Sequence, residues 1–153
     1  MLLHNLNRFT KAQERVYSDV LSELKDGRKR THWMWFIFPQ IDGLGFSSTA
    51  KLYAIKSLEE ARQYLVHPVL GARLLECSEI VLGVEDRSVG EIFGSPDNLK
   101  LHSSMTLFSC VAEVGSVFDA VLDEYFRGKR DSRTLELLGV VRSKKKSLVF
   151  VPE

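Results

Sequence analysis

Apolar residues in this chain recur mostly at every third or fourth position, the period of one helical face, and strand-like alternation is nearly absent. The first stripe is Phe9, Val16, Tyr17, Val20, Leu21 and Leu24, which predicts a helix over residues 10–26. Thr10 with Gln13 has capping-box spacing, in which each side chain satisfies a free backbone N–H of the first turn. Gly27 stands where a left-handed residue closes a helix. Ser47 or Ser48 is placed to cap a second helix through Lys51, Tyr53 and Ile55, and Ser57 with Glu60 opens a third that closes before His67-Pro68. Pro68 suits the first turn of a fourth, with Leu70, Leu74, Leu75, Ile80 and Val81 as its apolar positions.

Ser88 with Glu91 repeats the capping pattern over a short turn. Ser95-Pro96-Asp97 predicts a helix start, with Ser95 as cap, Pro96 at the first helical position and an acid near the positive end of the dipole. Leu101, Met105, Phe108, Val111 and Ala112 would be its inward face. Ser116 with Asp119 opens another helix that Gly128 ends, and Asp131 or Ser132 caps a last one holding Leu135, Leu137 and Leu138. Only Phe36 to Phe38 and Leu148 to Val151 read as short strands. The expected fold is mainly α, a compact single-domain helical fold with at most one or two short strands. Residues 1–138 would form the domain, and 139–153 a C-terminal tail carrying Lys144-Lys145-Lys146.

Composition changes this picture little. At 153 residues, 44% apolar and 27% charged, the chain is long enough for one real core and too apolar for disorder. A formal net charge of +1 implies no global attraction to nucleic acid. Cys77 and Cys110 lie in apolar stretches without metal-type spacing, so they read as buried free thiols. The start, MLLHNLNRF, lacks the apolar region of a leader, and no run of about 18 apolar residues could span a membrane. The expectation is a cytoplasmic protein with no cofactor motif, no metal site and no membrane partner.

Candidate chemistry concentrates in two places. From Trp33 to Phe38 six large apolar residues run consecutively, and they cannot all face one core. Trp33, Trp35 and Gln40 are the natural outward set, with Phe38 as a further wall of a binding site. The turn Gly43-Leu44-Gly45 then precedes Ser47, Ser48 and Lys51, where a helix N-terminus could hold a phosphate or carboxylate. In the second place, Asp97, Lys100 and Ser104 share one face at i, i+3 and i+7, with Ser103 beside them. There Asp97 would be a general base or ribose binder and Lys100 an anion partner.

The blocks THWMWFIFPQIDGLGFSSTAKLYAI, SLEEARQYLVHPVLGARLLE and EIFGSPDNLKLHSSMTLF resemble an uncharacterised bacterial and fungal family over roughly residues 9–138. Its members have often carried the label calpastatin, which does not fit here: calpain-inhibitor segments are polar and disordered, and this chain has core-forming composition. The order of helices is also similar to that of the NADAR superfamily, helical proteins linked to ADP-ribose and N-glycosidic bonds. That resemblance implies a pocket for a nucleotide or ADP-ribose-like ligand, acting on an N-glycosidic bond, with a small phosphate-bearing molecule as partner. The alternative is a protein-interaction module in which outward Trp33 and Trp35, beside Arg28 and Arg30, anchor a partner; its simplest form is a homodimer. Nucleic-acid binding, raised by Arg28-Lys29-Arg30 and Lys144-Lys145-Lys146, ranks last. The single-pocket reading requires Trp35, Gly45, Lys100 and Ser104 to lie around one cleft.

Overall fold

The computed structural model describes residues 5–142 and 148–150, with residues 141–142 and 148–150 as backbone only; the run Lys144-Lys145-Lys146 lies outside the described residues. Among these the chain forms ten helices and one pair of short strands, the expected mainly α, single-domain architecture. The first helical stretch is divided into α1 (Asn7–Glu14) and α2 (Tyr17–Lys25). At the junction the Val16 N–H bonds Gln13 O, three residues back, instead of continuing the four-residue ladder. The expected Thr10–Gln13 capping box is not made. Gln13 is 1% exposed and spends its amide on Phe36 O and the Tyr64 hydroxyl, at 2.7 and 3.1 Å. The helix begins three residues earlier than expected, so Thr10 lies inside it, with its N–H on Leu6 O, and cannot serve as the cap.

Gly27 closes α2 as expected, at φ +69°, and the N–H groups of Gly27 and Arg28 bond the carbonyls of Leu24 and Glu23. Next, α3 (Met34–Ile37) is a single helical turn where a strand was expected from Phe36 to Phe38. The helix capped by Ser47, α4 (Ser48–Leu52), stops short of Ile55 because Ile55 is drawn into a parallel bridge with Ile41. Ser57 caps α5 (Leu58–Val66), but the Glu60 carboxylate bonds the Lys56 N–H and Arg8 instead of returning to Ser57. His67 Nδ1 accepts from the N–H groups of Val69 and Leu70, so Pro68 lies in the turn ahead of α6 (Leu70–Leu82), not in its first turn. Leu75, expected inward, is 39% exposed.

The capping box of α7 (Val89–Phe93) is complete. In α8 (Asp97–Ser109) the cap falls on Pro96, one residue later than expected, and no side chain caps it. Ser116 and Asp131 cap α9 (Val117–Phe126) and α10 (Ser132–Leu138) as expected. Then β1 (Val140–Arg142) pairs antiparallel with β2 (Leu148–Phe150), Val140 opposite Phe150. The expected boundary between domain and tail falls at Gly139; Val140 just beyond it is 6% exposed and belongs to the core.

The helix α8 sits at the centre, touching α5, α7, α9 and α10. It was expected to turn one face inward, yet residues 103–109 are all buried. Over that stretch the helix has no wet side, although its first turns, with Leu99 60% exposed, do. Its hydroxyls bond its own carbonyls: Ser103 to Leu99 O, Thr106 to His102 O and Ser109 to Thr106 O. Ser104 Oγ, at the same depth, has no partner.

Two consequences are measurable. A Cβ added at Gly71 would stand 1.9 Å from the Leu65 carbonyl oxygen, a backbone atom at the α5–α6 corner. Gly71→Ala is expected to cost at least about 3 kcal/mol in urea unfolding. Gly90→Ala, where the nearest atom is Ser88 Oγ at 3.8 Å, should be stabilising by about 0.5–1 kcal/mol. Equal effects at the two sites would refute the close approach.

Glu23 generates the second. Its carboxylate is 4% exposed and accepts from the N–H groups of Arg30 and Thr31, the Thr31 hydroxyl and the Trp33 indole. Burial pushes its pKa up, but those hydrogen bonds together outweigh burial and hold it below the ordinary carboxylate value. The ionised form therefore stabilises the fold above about pH 4.3, and that contribution is lost as pH falls through the folded value. Glu23→Gln is expected to lose about 1.5–3 kcal/mol at neutral pH and distinctly less in strongly acid buffer. Urea unfolding at both pH values checks this; an unchanged difference would mean the charge is immaterial.

Candidate functional site

The segment that follows α2 is held by Glu23, and its indole acceptor turns Trp33 inward. Trp33 is 1% exposed and Phe38 fully buried, their rings 6.3 Å apart, with Phe93 6.0 Å beyond. The expectations that Trp33 faces outward and that Phe38 walls a binding site are corrected: the Trp33 N–H has a buried acceptor, and both rings fill the core. Trp35, two residues on in the single turn α3, is half-buried and opens onto a cleft of about 500 Å³.

One wall of that cleft is the segment from Gln40 to Ala50, which contributes Leu44, Gly45, Phe46 and Ser47. The other comes from α8, with Pro96, Leu99, Lys100, His102 and Ser103, and from the start of α10, with Asp131 and Arg133. Lys100 Nζ stands 4.6 Å from the centroid of the Trp35 ring, a cation–π distance. It is also 3.6 Å from Asp97 Oδ1. The other oxygen, Asp97 Oδ2, pairs at 2.9 Å with Lys29, whose side chain is only 7% exposed. The Lys29 ammonium in turn lies 4.9 Å from the Trp33 ring and donates to Thr31 O. One carboxylate between two ammonium groups leaves this wall positive. Asp97 itself lies behind Lys100, outside the cleft lining.

Of the residues expected to form a site, Trp35, Gln40, Gly45, Ser47, Lys100 and Ser103 converge on the cleft. Ser48 and Lys51 are exposed on α4 outside its lining, and Ser104 is buried on the core side of α8, so the four-residue convergence expected around one cleft holds for three. Gly43 lines a void of about 10 Å³ behind Gly45, room for roughly one water. Both glycines have local reasons. Gly43 has φ +106°, and a Cβ on Gly45 would meet that of Ala50 at 2.6 Å. The helix they lead into, α4, has five residues, and Ser47 Oγ already takes the Ala50 N–H.

Several lining residues were not anticipated. Phe46 is 84% exposed and Leu99 60%, at the mouth. Their signal was available: large apolar residues off every helical stripe, beside glycines or charges. Asp131 and Arg133 had none, because they reach the cleft from an element some thirty residues further on. Asp131 Oδ2 takes the Thr134 N–H and hydroxyl and the Ser103 hydroxyl as the α10 cap. His102 stacks on Phe126 at 4.3 Å and donates Nε2–H to Lys129 O.

Among the described residues no cluster of His, Cys, Asp and Glu could hold a metal ion, and no helix is long and apolar enough to cross a membrane. Both cysteines are free thiols, Cys77 buried and Cys110 half-buried. Burial pushes Cys77 up to about 12 and Cys110 up to about 11, which keeps them protonated and poorly nucleophilic at neutral pH.

Residues 3–138 match a family described as "Protein of unknown function (DUF1810)". The crystal structure of the conserved hypothetical protein Rv1873 from Mycobacterium tuberculosis is similar, with TM-score 0.87 and 53% identity over 90% of this chain and 98% of that one. No curated protein matches the chain.

The ion pairs differ in depth, which separates support from site. Asp97→Asn leaves the nearly buried Lys29 ammonium without its carboxylate and is expected to cost about 1–3 kcal/mol. Lys100→Ala removes a partly exposed i,i+3 partner and should cost less than about 1 kcal/mol. Denaturant unfolding of both variants tests the order; Lys100→Ala as the more damaging change would contradict it.

Proposed function

The chain belongs to the DUF1810 family, proteins of unknown function, and from that standing we propose that it is a binding protein for a small planar anion of the nucleotide or ADP-ribose type. The observation that carries this reading is Lys100 poised over the half-exposed Trp35 ring inside the cleft. The cleft volume of about 500 Å³ falls in the usual range for small-molecule sites, and such sites combine apolar walls with a few polar groups. Trp35 and Phe46 supply surfaces for a flat ring, and Lys100 and Arg133 supply positive charge for phosphate. The ADP-ribose type of ligand is suggested by the sequence resemblance to the NADAR superfamily.

Action on an N-glycosidic bond is the finer part of the proposal. It needs a carboxylate to activate water, and Asp97 is committed to two lysines. In this reading the role passes to Asp131, whose Oδ1 is not used by the cap, while Lys100 steadies the negative charge of the ligand. The interaction-module alternative loses its Trp33 anchor to the core and keeps Trp35, half-buried in the cleft, with exposed Phe46 beside it.

Titration with ADP-ribose, AMP and ribose 5-phosphate, followed by tryptophan fluorescence, tests the binding. The expected result is saturable quenching that Trp35→Phe abolishes, since the remaining indole, Trp33, is buried. Lys100→Ala should weaken binding about tenfold or more, matching a lost charge-assisted contact of about 1.5–3 kcal/mol. No response in fluorescence or melting temperature at millimolar ligand would rule the reading out.

A further inference from the structure

The exposed large apolar side chains of this protein gather in more than one place. Phe46 and Leu99 belong to the cleft, whereas Leu75 and Val114, 39% and 93% exposed, line a separate groove of about 490 Å³. The groove runs between the α5–α6 corner and the turn from α8 to α9, over Leu65, Val111 and Phe118, and shares no lining residue with the cleft. Val66 and Val69, 79% and 39% exposed, follow Leu65 in the chain but do not line the groove. Scattered apolar residues need no explanation, but a contiguous group of this kind marks a contact surface.

The charges lining it have one sign. Glu79 and Glu113 are both exposed, neither carboxylate has an ion-pair partner among the described residues, and no cation lines the groove. An apolar occupant seated there would strip water from both carboxylates, and desolvating an unpaired charge is costly. The occupant must therefore bring positive charge with its apolar surface. We infer that this groove docks a segment of a partner protein that presents two or three aliphatic side chains flanked by Lys or Arg. Two glutamates on different elements, with Leu65, Leu75, Val111 and Val114 sharing the lining, favour a segment carrying several side chains over a compact small cation.

The test uses the full chain and two labelled synthetic helices, each with leucines on one face, edged by lysines in one and by glutamates in the other. Fluorescence anisotropy should show binding of the lysine helix only. Glu79→Lys with Glu113→Lys should weaken that binding at least tenfold and admit the glutamate helix, and Val114→Asp should also weaken the lysine helix. Both glutamates are exposed, so circular dichroism should show unchanged folding, and Lys100→Ala, in the other cleft, should leave peptide binding unaltered. Equal binding of the two helices, indifference to charge reversal, or no binding at millimolar peptide would overturn the assignment. Sedimentation of the chain alone decides the remaining occupant: self-association dissolved by the glutamate reversals would make it a second copy and the partner-protein inference wrong.

Discussion

A buried carboxylate organises the part of this molecule that carries the candidate cleft. Removing Glu23 from water costs several kcal/mol unless its lone pairs are filled, and here the N–H groups of Arg30 and Thr31, the Thr31 hydroxyl and the Trp33 indole fill them. That set of bonds dictates the path of the chain from α2 to α3. It turns Trp33 into the core, and two residues later in a single helical turn Trp35 faces the cleft. From there alternating charges and rings run outward: Lys29 over Trp33, Asp97 between Lys29 and Lys100, and Lys100 over Trp35. The ammonium at the cleft is thus held by a chain of contacts that begins in the core.

The same logic explains why α8 carries so many hydroxyls. A helix surrounded by four others needs small side chains where neighbours come close, and serine or threonine can satisfy itself on the preceding turn. Its polar residues are therefore mostly a packing solution. Ser103 reaches the cleft because it lies towards α10, where Asp131 accepts its hydroxyl. Ser104, one residue on, points elsewhere and is buried.

This bears on how much was legible in the sequence. Caps that depend only on neighbours were readable: Ser88 with Glu91, Ser116, Asp131 and the left-handed Gly27. Caps that compete with a tertiary partner were not. The Glu60 carboxylate went to Lys56 and Arg8, while Thr10 and Gln13 had no cap to make because α1 already starts at Asn7. The site divides in the same way. Trp35, Gln40, Gly45, Ser47, Lys100 and Ser103 stood in two blocks whose mixed apolar and polar patterns marked them. Local pattern could not decide that Trp33 and Phe38 turn inward while Trp35 does not, because the deciding acceptor, Glu23, lies ten residues before Trp33 in another helix. Asp131 and Arg133 meet the cleft only through the packing of α10 on α8.

Net charge was the least informative quantity of all, and the reason is spatial. A total of +1 excludes a global field, but fields act locally where low-dielectric walls focus them. The cleft sets Lys100 and Arg133 against the single carboxylate of Asp131, with Arg133 also paired to Glu136, whereas the groove gathers Glu79 and Glu113 with no cation. The two concavities therefore differ in the charge they present, a difference that the sum conceals. The cleft and the groove have nearly the same volume, about 500 and 490 Å³, so the charge of the lining separates them where size does not.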